Sequence, residues 1–323
     1  MTRILVTGSA GFIGAVFTRH CLELGWHVTA LDRLDHAGNQ QRLAAIQSRY
    51  PDRLGIIWHD LRAELKPSQF PDKYDYVVHM AAGSHVDRSL RDPLQFVQDN
   101  VVGTANLLEF CRHHQPQAKV LYFSTDEIFG PAGDGISFAE HSRFEPENHY
   151  AATKAAAECF CPAYAHQCGM QIAVTHCCNA YGPGQDGEKF IPLCIGKIQR
   201  GETVQIHSRN GVPSSRLYIH VDDVCGATLT VLLKGGVICD DKSGRYNIVA
   251  AKEWSNLEVA AMIAELLGRP LRWELVESPP NRVKPDMRYA LTDNKLGVLG
   301  WEPRVSLEAG LRALLGKSGS AAA

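Results

Sequence analysis

The sequence lacks a charge excess of either sign and any long apolar run. Its 33 Lys and Arg residues nearly balance 35 Asp and Glu residues, which leaves a formal net charge of -2. This balance argues against a broad electrostatic grip on nucleic acid. No apolar run approaches the roughly 18 residues of a membrane span. The apolar segment after Met1 ends at Gly8, too early for the core of a signal peptide. We therefore expect no nucleic-acid partner, no membrane association and a cytoplasmic location.

The cysteines and histidines lack the spacings typical of metal or redox sites. The ten cysteines contain no CxxC pair, and the 14 histidines contain no HExxH motif. Zinc ribbons, thioredoxin-like chemistry and zinc-protease chemistry therefore have no support in the sequence. We predict mostly buried, reduced thiols and no metal site.

Chain length and apolar patterning predict two domains built around a parallel sheet. Dividing 323 residues by roughly 150 per domain gives about two domains. Short apolar runs such as 3–7 and 120–124 alternate with longer amphipathic stretches in the first half, as in a doubly wound sheet covered on both faces. Glycine and proline are frequent in the second half, as in loops that recognise substrates. We predict an α/β fold with a Rossmann-type domain at 1–178, returning segments near 217–249, and a smaller α/β substrate domain mainly at 179–323.

A glycine-rich turn between the first strand and the first helix predicts a dinucleotide site. Gly8, Gly11 and Gly14 have the spacing GxxGxxG, which lets the backbone turn sharply and approach a pyrophosphate at the helix N-terminus. Asp32 ends the second strand, where a carboxylate accepts hydrogen bonds from a ribose and repels a 2′-phosphate. NAD is therefore favoured over NADP, although the neighbouring Arg33 favours the opposite choice.

Two further groups of residues predict acid–base chemistry. Tyr150 and Lys154 are four positions apart at the start of a helix, so both side chains lie on one helix face. A cation there, together with a bound nicotinamide, lowers the pKa of a tyrosine, which suits a general base. Thr125, Asp126 and Glu127 follow a strand at the sheet edge where ligands bind. The two carboxyl groups are either an acid and a base with separated pKa values, or a turn cap and a solvated side chain.

Together these motifs resemble the extended short-chain dehydrogenase/reductase superfamily. Within it they resemble the nucleotide-sugar 4,6-dehydratases, above all those that act on dTDP-glucose. The resemblance covers nearly all of residues 1–315. The matching segments are 7–14, 37–39, 85–89, 100–104, 124–130, 179–183, 188–192, 286–289 and 299–301, together with Tyr150 and Lys154. The Thr-Asp-Glu triplet distinguishes the 4,6-dehydratases from related C4 epimerases and decarboxylases, which share the Tyr/Lys pair but usually lack the triplet.

The resemblance implies a redox-neutral dehydration with five catalytic residues. Tyr150 would take the proton of the sugar 4-hydroxyl while hydride passes from C4 to NAD. Thr125 would bond the reacting oxygen, and Lys154 would hold the cofactor ribose and tune Tyr150. Glu127 would remove the C5 proton, and Asp126 would protonate the departing C6 hydroxyl. Hydride would then return to C6.

The resemblance also implies cofactor and substrate residues and a homodimer. The NAD-binding set is Gly8, Gly11, Phe12, Ile13, Gly14, Asp32, Arg33, Leu34, Asp35, Ala37, Asp60, Leu61, Ala81, Ala82, Asn100, Tyr150 and Lys154. The nucleotide-sugar set is Ser84, Thr125, Asn179, Glu188, Lys189, Arg216, Asn256, Arg282 and Tyr289. The helix after Lys154 would form the dimer interface, and Pro162 would kink it by removing one hydrogen bond.

Departures from the family pattern leave several alternatives open. Gly83, Leu217 and the segment 282–286 differ from the usual residues near the nucleotide and sugar, so the base and the hexose are undetermined. Another NAD-dependent nucleotide-sugar enzyme would also fit: a 5,6-dehydratase, a C4 epimerase or a decarboxylase, including one that acts on a UDP-sugar. A non-catalytic NAD or sugar-nucleotide sensor would not need Tyr150 and the carboxyl pair together.

Overall fold

A computed structural model describes residues 1–35, 37–70, 72–238, 244–277, 287–292 and 295–318. Its strands are β1 Arg3–Thr7, β2 His27–Asp32, β3 Leu54–Trp58, β4 Tyr76–His79, β5 Lys119–Thr125, β6 Ile172–Cys177, β7 Asn179–Tyr181, β8 Val204–Arg209, β9 Val212–Pro213, β10 Ser215–His220, β11 Arg245–Ile248, β12 Glu253–Ser255 and β13 Trp273–Val276. Its α-helices are α1 Phe12–Glu23, α2 Gln40–Arg49, α3 Val86–Arg91, α4 Pro93–Phe96, α5 Gly103–His114, α6 His149–Cys168, α7 Phe190–Arg200, α8 Val221–Lys234, α9 Asn256–Leu267 and α10 Leu307–Ser318.

A seven-stranded parallel sheet organises the first part of the chain. Its strand order is β11-β6-β5-β4-β1-β2-β3, and every neighbouring pair is parallel. Alternate side chains of β1 enter two separate cores: Val6 packs with Phe17 of α1, whereas Leu5 packs with Leu107 of α5. Burial on both faces explains why these strands read as continuous apolar runs. The predicted Rossmann-type, doubly wound fold is confirmed.

Two small sheets and three helices form the second part of the chain. The sheets have the orders β12-β10-β7 and β13-β8-β9, and a third core cluster joins α7, α9 and α10. Of the two segments expected to return, β11 joins the large sheet beside β6. The segment 217–220 does not: it pairs with β7 and β12, while Leu217 and Ile219 pack on the core of the large sheet. The division at residue 178 stays a prediction.

The carboxyl ends of β1, β2, β4 and β5 lie along one edge of the large sheet, which is where open α/β sheets bind ligands. Thr125 ends β5 and begins a single 3-10 turn, Asp126–Phe129. Helix α6 continues without interruption through Pro162. The nine cysteines in the described ranges are free, and all but Cys159 and Cys168 are buried. Among the helices in these ranges, none has the length and hydropathy needed to cross a membrane.

Candidate active site

The dinucleotide loop, residues 8–14, leaves no room for side chains at two of its glycines. Gly8 has φ +70°, and a Cβ there would lie 2.6 Å from Ala81 N. A Cβ at Gly14 would lie 2.1 Å from Gly8 O. Only glycine fits these positions, because the loop packs against its own helix and the end of β4. The first turn of α1 thereby faces the cavity, as a pyrophosphate at a helix N-terminus requires.

Asp32 is fixed at the end of β2 by two backbone hydrogen bonds. Its Oδ2 accepts from Ala10 N at 2.9 Å and its Oδ1 accepts from Leu34 N at 2.9 Å. The carboxylate is buried and lines the cavity. These residues and the dinucleotide loop fit the ribose and pyrophosphate of NAD.

Arg33 is paired with carboxylates, which resolves the ambiguity noted in the sequence. Its two terminal nitrogens bind the two carboxylate oxygens of Asp99 at 2.5 and 2.8 Å, and it also pairs with Asp35. Asp60 lies 3.6 Å away. Arg62 also pairs with Asp60, at 2.6 Å, so three carboxylates surround two guanidinium groups. The local charge is negative, and Arg33 is therefore poorly placed to attract a 2′-phosphate.

We therefore expect NADP to bind at least about tenfold more weakly than NAD. Titration calorimetry on protein stripped of cofactor measures both affinities. Asp35→Asn removes one of the carboxylates that compete with a 2′-phosphate for Arg33. In this variant the difference between the affinities for NAD and NADP should become smaller. Equal affinity of the unmodified protein for the two dinucleotides would contradict this assignment of Arg33.

The five predicted catalytic residues line one cavity together with the dinucleotide loop. Thr125 Oγ1 donates to Asp126 Oδ1 at 3.1 Å and its hydroxyl also interacts with the Tyr150 hydroxyl. Asp126 Oδ2 is buried and has no hydrogen-bond partner among the residues that the structure describes. A carboxyl oxygen of this kind is available to a substrate oxygen.

Burial shifts the pKa values of three groups in the cavity. Burial, and then the charge of Glu127, raise the pKa of Asp126 to about 7. Burial lowers the pKa of Lys154 to about 7, while Glu158 opposes this shift. The sequence predicts a lowered pKa for Tyr150, but burial, and then the charge of Glu127, raise it in this structure. The Lys154 ammonium lies over the Tyr122 ring at 4.1 Å and donates to Phe123 O at 2.7 Å.

Asp126 should lower the stability of the folded protein at neutral pH. Its pKa is about 7 in the folded protein against a reference value of 3.8, so the folded state holds its proton more tightly. The contribution of Asp126 to stability therefore falls as the pH rises from about 4 to about 7 and is constant above that. Asp126→Asn should then melt a few degrees above the parent protein at pH 8, and the difference should shrink towards pH 4.

Asp222→Asn is the matched control, because the pKa of Asp222 is shifted in the opposite direction. Its hydrogen bond with His20 is the largest influence that holds the pKa of Asp222 at about 2, so this variant should lose stability at neutral pH. A melting-temperature difference for Asp126→Asn that does not vary with pH would contradict the assignment.

Asn148 is a residue of the site that sequence reasoning missed. Its Oδ1 accepts from Ala151 N at 2.8 Å and caps α6, while its Nδ2 donates to Glu127 Oε2 at 2.8 Å. One side chain thus fixes the start of the Tyr150 helix and the direction of Glu127. The signal in the sequence was an asparagine at a helix start, a common N-cap.

Replacing Asn148 by Asp and by Ala should separate these two functions. Asn148→Asp keeps a cap acceptor but replaces the donor to Glu127 by a second carboxylate, so it should lower turnover at least roughly tenfold and raise the pKa of Glu127 by like-charge repulsion. Asn148→Ala loses both contacts and should also lower the free energy of unfolding by about 1 kcal/mol. Turnover and urea denaturation check the pair. Turnover in Asn148→Asp equal to that of the parent would contradict a role in orienting Glu127.

The remaining predicted residues divide into cavity-lining and buried or peripheral positions. Besides those above, the predicted residues that line the cavity are Gly11, Phe12, Ile13, Ala37, Leu61, Ala82, Ser84, Asn179 and Lys189. Other lining residues include Cys177, Cys178, Gln185 and Asp186. Arg282 lies outside the described residues. Leu34, Asn100, Glu188, Arg216, Asn256 and Tyr289 are not among the described residues that line this cavity.

Internal hydrogen bonds explain why two of these amides do not face the cavity. Asn256 Oδ1 accepts from Tyr218 Oη at 2.7 Å and its Nδ2 donates to Ser214 Oγ at 2.9 Å. Asn100 Oδ1 instead accepts from Gly83 N at 2.7 Å, and its Nδ2 donates to Gly83 O at 3.1 Å. Asn100 thus supports Gly83, which itself lines the cavity. The predicted direct contacts of Asn256 with sugar nucleotide and of Asn100 with cofactor have no support in this geometry.

Three of the other residues lie at the edge of the site. Arg216 stacks on the Tyr289 ring at 5.0 Å, and its charge opposes the rise in the pKa of Asp126. Glu188 Oε2 pairs with Arg88 at 3.2 Å. Their contact with a sugar nucleotide stays a prediction.

Comparisons with known proteins agree with this site. The model of the NAD dependent epimerase/dehydratase family matches residues 4–248. A dTDP-glucose 4,6-dehydratase of Streptomyces niveus is 36% identical over 321 residues, covering 96% of this chain and 90% of its own. The structure of a dTDP-glucose 4,6-dehydratase of Streptomyces venezuelae, solved with NAD bound, has a TM-score of 0.87 at 32% identity and covers 99% of this chain and 97% of its own.

An epimerase structure is also similar in fold. The UDP-glucose 4-epimerase of Thermotoga maritima, solved with UDP-glucose, has a TM-score of 0.86 at 25% identity, with 99% of each chain covered. Fold similarity therefore does not separate dehydration from epimerisation, and the site chemistry must do so.

Proposed function

Because the chain belongs to the NAD dependent epimerase/dehydratase family, we propose that it removes water from a nucleotide-activated hexose. The proposed substrate is dTDP-glucose and the proposed product is its 4-keto-6-deoxy derivative. The observation that carries the proposal is the presence of Asp126 and Glu127 in the same cavity as Tyr150. Epimerisation at C4 needs the tyrosine but neither carboxyl group, whereas elimination of water needs an acid and a base at adjacent carbons.

The chain's own residues supply every proton transfer of the proposed reaction. Bound NAD supplies a hydride acceptor that takes hydrogen from sugar C4 and later returns it to C6. Tyr150 would take the proton of the 4-hydroxyl as the phenolate, which the positive charge of a bound nicotinamide would stabilise against the effects of burial and Glu127. Glu127 takes the C5 proton, which the new C4 ketone has made acidic, and returns it to C5 at the end. Asp126 protonates the departing C6 hydroxyl, so that it leaves as water.

The proton balance leaves Tyr150 with one proton more and Asp126 with one fewer after each turnover. The hydroxyl of Thr125 lies between them: it interacts with the phenol and donates to Asp126 Oδ1 at 3.1 Å. A proton that moves from tyrosine to threonine while the threonine proton moves to aspartate restores both groups. This contact supports Thr125 as the route by which the site resets without solvent.

Mass spectrometry with a panel of substrates tests the proposal. The purified protein and NAD are incubated separately with dTDP-, UDP-, GDP- and CDP-glucose and with UDP-N-acetylglucosamine. Loss of one water from dTDP-glucose, with no net NADH, is the expected result. Loss of water from another member of the panel would identify that nucleotide sugar as the substrate. NMR of the product would distinguish a 4-keto-6-deoxy sugar from a 5,6-ene. An isomer of unchanged mass would reject dehydration in favour of epimerisation.

We also propose a homodimer that forms through α4 and α6. The two helices pack together and expose Leu94 (75%) and Phe160 (37%) on their outer surface. Exposed apolar side chains on adjacent helices are typical of a covered interface. Light scattering should give twice the chain mass, and Leu94→Glu should give the single-chain mass. A monomeric parent protein at micromolar concentration would reject the dimer.

A further inference from the structure

A segment that follows β7 forms part of the cavity wall. Residues 182–189, here called the strap, contribute Gln185, Asp186 and Lys189 to this wall. At the far end of the strap, Lys189 Nζ donates to Ser84 O at 3.3 Å. The strap therefore borders the space that the predicted cofactor would occupy, and one of its ends is tied to the loop after β4.

The other end of the strap is tied by a single arginine of α2. Arg42 Nη1 donates to Ala10 O and Ala37 O, both at 3.0 Å. Its Nη2 donates to Gly184 O at 2.7 Å and to Asp186 Oδ1 at 3.1 Å. One guanidinium thus joins the dinucleotide loop, the loop after β2 and the strap. Gly184 has φ +85°, a conformation that favours glycine.

This contact is stronger than an ordinary surface ion pair. Exposed pairs contribute little, because water screens them and long side chains lose entropy. Here the side chains of Arg42 and Asp186 are only 20% and 31% exposed. Three of the four acceptors are backbone oxygens, which cannot rotate away. Hydrogen bonds from a charged donor to such fixed acceptors are among the stronger ones in proteins.

We propose that Arg42 latches the strap over the dinucleotide site and thereby slows release of bound NAD. A dinucleotide held between the dinucleotide loop and the strap would leave more readily once either end of the strap is released. Slow release suits the proposed function, on which this reasoning rests, because the hydride taken from C4 must return to the same sugar. Cofactor lost in mid-cycle would strand an oxidised sugar and free NADH. Arg42 is thus a positioning residue that acts through the strap.

Exchange of bound NAD tests the latch without any sugar substrate. Holoprotein loaded with labelled NAD is diluted into excess unlabelled NAD, and the loss of label is followed over time. We expect Arg42→Ala to release NAD at least about tenfold faster than the parent, since it loses two charged hydrogen bonds to the strap. Asp186→Asn, which keeps the bond to Gly184 O, should release it about threefold faster. Arg49→Ala, an exposed change on the same helix, is the matched control and should match the parent.

A double variant separates a latch from simple damage to the dinucleotide loop. If Arg42 acts through the strap, Asp186→Asn should add nothing to the release rate once Arg42→Ala is present. Fully additive effects, or release from folded Arg42→Ala at the parent rate, would overturn the proposal. Circular dichroism and the melting temperature confirm that each variant folds. The result does not depend on the proposed dehydration, because NAD exchange is measured in the absence of a sugar nucleotide.

Discussion

Replacing Tyr150 by Phe should stop the reaction before any hydride moves. The side chain keeps its size and its place at the start of α6, where Tyr150 N is held by Ser89 Oγ at 3.1 Å. It loses the group that accepts the proton of the sugar 4-hydroxyl. We expect turnover to fall about a thousandfold, in the range found when a positioned acid–base group is removed. Single-turnover absorbance should show no NADH.

Tyr164→Phe is the matched control for this variant. Tyr164 lies on the same helix, and its hydroxyl bonds Glu109 Oε1 at 2.5 Å, outside the residues that line the cavity. Its loss should leave turnover within about twofold of the parent. Rapid NADH formation in Tyr150→Phe would contradict the assignment of the phenol as the base at C4.

Replacing Glu127 by Gln should stop the reaction one step later. The amide keeps the shape of the side chain but cannot take a proton from C5. Oxidation at C4 does not need Glu127, so NADH should still form and then accumulate. Water loss should slow by roughly 100- to 10,000-fold. Exchange of the C5 proton with deuterated solvent, followed by NMR, should slow in parallel.

Glu145→Gln controls for the loss of a carboxylate near the site. Glu145 follows the same turn in the chain, and its side chain is 65% exposed. Normal turnover is expected for it. Normal turnover in Glu127→Gln would reject Glu127 as the base at C5. A folded Glu127→Gln that binds substrate yet forms no NADH would place Glu127 in the first step instead.

The pattern of the sequence predicted the fold because local signals and long-range packing agree along this sheet. Apolar strands, the glycine spacing and Asp32 each follow from neighbours within about 30 residues. The Thr125 triplet was placed correctly at the end of β5 for the same reason, since a strand end is a local feature. Its grouping with Tyr150 in one cavity was expected from the family resemblance and is present in the structure.

Contacts between remote parts of the chain could not be predicted in this way. The amide of Asn256 looks available in the sequence, but Tyr218 and Ser214 occupy it. In the sequence Arg33 is a candidate phosphate ligand, but in the structure its guanidinium pairs with Asp99. Arg42 and Asp186, 144 residues apart, carry no sequence motif that joins them. Their pairing depends on how the second part of the chain returns over the first.

In the proposed reaction, one cavity oxidises C4, removes water and returns the same hydrogen to C6. Incubation of the protein and NAD with dTDP-glucose deuterated at C4 tests all three steps at once. We predict a product lighter by one water that carries the deuterium in its C6 methyl group, with no net NADH. Deuterium retained at C4 in a product of unchanged mass, or water loss without deuterium at C6, would contradict the account.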